Sequence, residues 1–222
     1  MTRAELARMI DHSVLKPEAT EADVRGGVEV VRKWRIGFYC LQPCWLKLAS
    51  ELLAAGGARL VGVIGFPHGC ELPDVKARAA VLAVADGAGE IDMVMNFGLL
   101  KSGRASDTAA DIAAVVRAVP GVTVKVILET ATLTDEEKKL ACRLACEAGA
   151  GFVKTSTGFH PSGGATAADV RLLRAAVGQT IGVKASGGIR TLSDAREMLD
   201  AGASRIGTSA STAILGATPD AG

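Results

Sequence analysis

Two lysines thirty residues apart each end a short apolar run and are followed by small residues and glycine. The runs are Gly151-Phe152-Val153-Lys154-Thr155-Ser156-Thr157-Gly158 and Ile181-Gly182-Val183-Lys184-Ala185-Ser186-Gly187-Gly188. Apolar runs of this length, bounded by glycine, read as buried strands. Each therefore carries an ammonium to a sheet end, where taking it out of water is costly. Two cations held close together disfavour each other's charge, so one is expected to be a neutral amine near pH 7. A neutral lysine amine is the nucleophile of Schiff-base chemistry. The competing reading is two unrelated lysines reaching from strand ends to solvent; the repeated pattern favours chemistry.

Asp92 interrupts a third apolar run, Glu90-Ile91-Asp92-Met93-Val94-Met95-Asn96. A carboxylate buried there needs a partner, and an inward-facing lysine from the opposite wall would supply one. The alternative places Asp92 on an outer face or at a loop. Asp11 and Lys125 also fall at strand positions, as ligands or as members of a structural ion pair; for Lys125 the pleat decides which way it points. His12 reads as a hydrogen-bonded strand-end residue. Glu129-Thr130 could reach a site, though nothing in the sequence requires it.

The elements that must position these groups recur regularly. Strands are expected near Met9–His12 and at Ile36–Leu41, Arg59–Ile64, Glu90–Met95, Thr123–Leu128, Gly151–Thr155, Ile181–Ala185 and Arg205–Gly207. From the second onward their starts are separated by roughly 23 to 33 residues, about what a strand, a helix and two loops consume. Helix signals fill the gaps: Thr20-Glu21-Ala22-Asp23, Pro73 in a first turn, Thr134-Asp135-Glu136-Glu137 and Ser193-Asp194-Ala195-Arg196. The strands look apolar nearly throughout, as parallel strands covered by helices do. Eight alternating units predict an α/β fold, a single (β/α)8 TIM barrel, spanning 1–222 as one domain. The rival is a doubly wound open sheet. It would place a glycine-rich dinucleotide turn after the first strand, where His12-Ser13-Val14-Leu15-Lys16-Pro17 stands instead.

A barrel puts its site at the C-terminal strand ends and often holds phosphate on the loops after strands seven and eight. Here these read Ser186-Gly187-Gly188-Ile189-Arg190 and Gly207-Thr208-Ser209-Ala210-Ser211, with Thr157-Gly158 nearby. Glycine admits backbone N–H groups close to an anion and the hydroxyls add donors, although turns also use glycine. A small phosphorylated substrate is expected.

Bulk composition excludes other classes. The chain has 222 residues, 49% apolar, with 25 basic and 24 acidic side chains and net charge +1. That balance supports neither nucleic-acid nor anionic-membrane binding. No apolar stretch is long enough to span a bilayer. The charged start, Met1-Thr2-Arg3-Ala4-Glu5, lacks a signal-peptide core, so a cytoplasmic protein is expected. Five cysteines form no C-x-x-C pair, and three histidines lie at no matching spacing. Reduced thiols and no structural metal are expected.

The motifs Ile10-Asp11-His12-Ser13, Glu90 to Asn96, Lys125-Val126-Ile127-Leu128-Glu129-Thr130, Phe152 to Gly158 and Val183 to Arg190 closely resemble the deoxyribose-phosphate aldolase family over nearly the whole chain. The resemblance implies a class I aldolase that uses neither metal nor organic cofactor. Its expected partners are a phosphorylated sugar and acetaldehyde, with a homodimer or higher homo-oligomer possible. It makes Lys154 the Schiff-base nucleophile, Lys184 the neighbouring cation and Asp92 the acid/base partner. The carbon–carbon break is expected at C3–C4. Gly158, Gly187, Gly188, Gly207, Ser209, Thr157, Asp11, Cys40 and Lys125 are then the substrate and phosphate contacts. Three departures stand out: Gln42 where asparagine is usual, His160-Pro161 where a glycine is more usual, and no tail tyrosine, the sole tyrosine being Tyr39. Rival functions are another Schiff-base sugar-phosphate aldolase, a non-covalent isomerase or synthase, and a catalytically dead sensor. For self-association, a helix face bearing Val28, Val31, Trp34 and Trp45 is one candidate and core packing the other.

Overall fold

The computed structural model describes residues 1–53 and 57–219. In chain order the elements are α1 (Arg3–Met9), β1 (Ile10–Val14), α2 (Glu21–Trp34), β2 (Phe38–Leu41), α3 (Leu46–Leu53), β3 (Arg59–Ile64), α4 (Pro73–Ala85), β4 (Glu90–Val94), α5 (Phe97–Lys101), α6 (Ala105–Ala118), β5 (Thr123–Ile127), α7 (Asp135–Glu147), β6 (Phe152–Lys154), α8 (Ala167–Val177), β7 (Gly182–Ser186), α9 (Leu192–Asp200), β8 (Arg205–Thr208) and α10 (Ser211–Gly216). The eight strands pair in parallel, each with its sequence neighbours, and β8 closes on β1. This is the (β/α)8 barrel; the open-sheet alternative is excluded by that closure.

Helix starts follow from local capping. Thr20 and Thr134 each accept from the third residue onward while Asp23 and Glu137 reach back to the cap, so both ends of the box are made. The expected start at Ser193 is displaced: Thr191 is the cap and Asp194 closes its box. The first strand runs later than expected, from Ile10, and the second starts at Phe38 rather than Ile36.

The strands are not uniformly apolar; they alternate. Ile10, Tyr39, Ile91, Met93, Val124, Val126, Val153, Val183 and Ile206 pack with the helices in one large core. The intervening residues Asp11, Cys40, Glu90, Asp92, Lys125, Lys154, Lys184 and Arg205 are buried within the barrel. Period-two geometry therefore sends hydrophobes outward to the helices and charge inward. Val28 and Val31 are buried in the core, and Trp34 and Trp45 pack against it, so these residues form no free patch. Among the described residues, no helix is long and apolar enough to cross a membrane.

Candidate active site

Asp92 is the hub of the barrel interior. Its Oδ2 accepts from Lys154 Nζ at 2.7 Å and from Lys184 Nζ at 2.7 Å. Two such contacts to one oxygen cap the separation of the amines at twice that length. Its Oδ1 accepts from Lys125 Nζ at 2.8 Å. Strand register explains the convergence: Lys154 pairs with Lys184 across β6–β7, and Asp92 with Lys125 across β4–β5. Asp11, on β1, accepts a second hydrogen bond from Lys184 through its Oδ2.

Electrostatics sets the charges of Asp92 and Lys184. Burial alone would raise the Asp92 carboxyl, but Lys125, Lys154 and Lys184 together outweigh it and hold the group well below the usual carboxylate range. Burial likewise works against the Lys184 cation, yet Asp11 and Asp92 overcome it and hold the amine above the ordinary lysine value. The two amines are thus not an isolated like-charge pair. Two carboxylates lie among them, and Lys184 is the one bound by both.

A cavity of about 710 Å³ opens over this cluster. Of the expected site residues, Lys154, Lys184, Asp11, Cys40, Thr157, Gly158, Gly187, Gly188, Gly207 and Ser209 line it. Asp92 is fully buried, with its Oδ2 contacted by the two lining lysines. Lys125 is fully buried between Asp92 and Glu90, with its Nζ 2.7 Å from Glu90 Oε2. It does not line the cavity and is an ion-pair residue, which corrects its reading as a substrate contact. Cys40 lines the wall as a thiol. Burial, then the charges of Asp11 and Asp92, push it up to about 12, so it is no nucleophile at neutral pH.

The rim is built from loops. Gly187 and Gly188 both take positive φ, 90° and 81°, which side-chain-bearing residues rarely adopt and which leaves a loop with no side chains toward the cavity. Gly207 serves by its size: a Cβ there would lie 3.0 Å from Lys184 Cε and 2.9 Å from Ser186 Cβ. Thr157 departs from expectation. Its hydroxyl donates to Glu129 Oε2 at 2.5 Å and its N–H to Glu129 Oε1 at 3.2 Å, so both donors are engaged by a protein carboxylate rather than offered to a substrate phosphate. Glu129, buried and in the left-handed region at φ 58°, is thus a brace from the end of β5 to the β6 loop.

The departures resolve into particular contacts. Gln42 donates its amide to Leu15 O at 3.0 Å, tying the β2 and β1 loops. His160 packs edge-on to Phe97, and Phe159, which lines the cavity, edge-on to Phe66. Tyr39 is buried outside the barrel, donating to Val24 O at 2.9 Å. Of the tyrosine-free C-terminal residues Ala217-Thr218-Pro219-Asp220-Ala221-Gly222, the last three lie outside the described residues. His12 bonds Ser211 through Nδ1 at 2.9 Å, and burial lowers it to about 4, leaving a neutral strand-end histidine. Sequence reading missed Glu90 and Arg205, although Glu90 lies two residues before Asp92 and so shares its face.

Residues 6–216 match the DeoC/LacD family aldolases. The chain belongs to that family. A deoxyribose-phosphate aldolase of Enterococcus faecalis is 53% identical over 216 residues, covering 96% of this chain and 98% of the relative. Deoxyribose-phosphate aldolase 1 of Bacillus licheniformis is 50% identical over 218 residues, 97% of each chain. Among solved structures, the tetrameric deoxyribose phosphate aldolase of Aeropyrum pernix superposes with a TM-score of 0.90 at 34% identity, covering 97% of this chain and 91% of that one.

Proposed function

We propose that this family member cleaves 2-deoxy-D-ribose 5-phosphate reversibly to acetaldehyde and D-glyceraldehyde 3-phosphate through a Schiff base on Lys154. The observation that carries the reading is two buried amines on one oxygen of Asp92 at the floor of a glycine-rimmed cavity. The names of its nearly full-length relatives support the same substrate.

Lys184 is the amine held charged by two carboxylates, so the attacking amine is assigned to Lys154. The neutral amine adds to the C1 aldehyde; a nitrogen–carbon bond forms and the carbonyl oxygen takes a proton. Loss of water gives a protonated imine, an electron sink. The C3 hydroxyl then gives up its proton, the C2–C3 bond breaks, and glyceraldehyde 3-phosphate leaves with C3 as its aldehyde carbon. The break falls at C2–C3, not C3–C4, because an iminium at C1 conjugates only with electrons released at C2, and acetaldehyde carries two carbons. Protonation of the remaining enamine at C2 and addition of water release acetaldehyde and restore the amine.

Each step needs an acid and a base. Asp92 takes and returns the proton, and Lys184 donates to the developing oxygen. Asp11 Oδ1, buried and without a donor among the described residues, accepts from a substrate hydroxyl. Backbone N–H groups at Gly158, Gly187 and Gly188, with the Ser209 hydroxyl, hold the phosphate. The enzyme works in the breakdown of deoxyribose phosphate in the cytoplasm, where its unpaired cysteines fit a reducing environment. Self-association is part of the reading: Val75 and Leu82, two turns apart on α4, and Leu72 at its start are exposed apolar side chains, and sedimentation of the protein measures the assembly.

Borohydride reduction with acetaldehyde tests the chemistry. One reduced two-carbon adduct mapping to Lys154 is expected. Unmodified protein, or an adduct on another lysine, would reject it.

A further inference from the structure

Beneath Asp92 the barrel axis continues as a chain of ions. Lys125 donates upward to Asp92 Oδ1 at 2.8 Å and lies 2.7 Å from Glu90 Oε2 below. Arg205 Nη1 meets the same Glu90 oxygen at 3.1 Å, and Arg59 Nη1 meets Oε1 at 3.5 Å. The Arg205 guanidinium is itself clamped, 3.3 Å from the Phe38 ring centroid and 5.2 Å from that of Phe152. Glu90, Lys125 and Asp92 side chains are at most 4% exposed, so water screens little between them. Glu90 and Asp92 stand two residues apart on one strand face, about 7 Å along β4. The backbone fixes that spacing.

We infer that Glu90 is a positioning residue for the proposed aldol chemistry: it anchors Lys125 against the far oxygen of Asp92 and shares its charge, so that Asp92 Oδ2, which meets Lys154 and Lys184, keeps the basicity to exchange protons with substrate. The inference rests on the Schiff-base reading above. Without Glu90, Lys125 has one carboxylate instead of two, and its pull falls wholly on Asp92. A more tightly paired carboxylate is a poorer proton acceptor. Loss of a buried negative charge also makes proton release from the neighbouring amines easier. The charged or titratable groups facing this axis are Asp11 on β1, Cys40 on β2, Arg59 on β3, Lys125 on β5, Lys154 on β6, Lys184 on β7 and Arg205 on β8. Removing Glu90 shifts their balance towards positive.

The test is Glu90→Gln, compared with Glu90→Asp and with wild type. For Glu90→Gln, kcat should fall at least about tenfold with KM little changed, a loss confined to the reacting state. The pH at which turnover rises should move down by about one unit. Glu90→Asp, which keeps the charge, should restore the wild-type pH profile. In a Lys125→Met background Glu90→Gln should add almost nothing to the loss in kcat, because the two act as one unit. A lowered melting temperature with an unmoved pH profile would assign Glu90 to stability alone and overturn the inference. Should Glu90→Gln fail to fold, Arg205→Gln carries the test with opposite sign: it removes a cation competing for Glu90, and the profile should move up. An unmoved profile there overturns the inference as well. Wild type is trapped with borohydride first; failure at that stage overturns the Schiff-base reading, whereas wild-type behaviour of the Glu90 variants overturns only this proposal.

Discussion

Two lysines of this chain, Lys76 and Lys154, are buried to a similar degree and do different things. Lys76, on α4, donates to Gly69 O at 2.7 Å, Val94 O at 3.0 Å and Asp111 Oδ2 at 2.8 Å. All three ammonium protons have acceptors, and Asp111 in turn accepts the Asn96 N–H at 2.9 Å. The cluster clasps the loop after β3 to the end of β4, and no part of it lines the cavity. Among the described residues Lys154 has one acceptor, Asp92 Oδ2, which it shares with Lys184, and it borders the cavity. A buried amine with every proton engaged is a fastener. One with a shared acceptor and open space beside it can react.

That contrast is broken most severely at Lys154. Lys154→Leu should cost turnover roughly 10⁴-fold or more, with no reduced adduct and a native circular-dichroism spectrum; substantial remaining activity would dissolve the distinction. Lys76→Met should do the converse. It strands Asp111 in the interior and should cost about 3–5 kcal/mol in urea unfolding while the folded protein keeps its kcat. Lys184→Leu sharpens the comparison within the site. Removing its charge leaves Asp11 and Asp92 facing the reactive amine, which favours the protonated form. The pH at which turnover rises should therefore move up by about one unit, and a stationary profile would take Lys184 out of that role. The smallest effect belongs to a residue outside both clusters: Thr134→Ala removes the capping box of α7 and should cost about 1 kcal/mol with kinetics unchanged.

Much of the site was legible in the chain because strand position and residue type constrain each other. Lys154, Lys184 and Asp92 could be singled out as polar interruptions of apolar runs, and the barrel brings all three together. Lys125 was undecided because one residue of pleat determines the face, and a pleat has no phase until the register is set. Thr157 was misread as an anion donor because Glu129, twenty-eight positions earlier, captures both of its donors. Gln42 stood out only as a departure from the family's asparagine, and its amide is engaged by a carbonyl of the β1 loop. In each case the deciding partner comes from a neighbouring strand or its loop.

The sequence by itself determined the eightfold alternation of strands and helices, the capped helix starts and the residue types able to do covalent chemistry. These depend on periodicity and local hydrogen bonding, which a short window of chain contains. Only the tertiary structure decided which carboxylate each amine meets, that Lys184 rather than Lys154 is the doubly bound cation, and that Glu90 stands beneath them. Closing the barrel sets the register of all eight strands at once, and charges buried inside it interact over distances that no local stretch of sequence encodes.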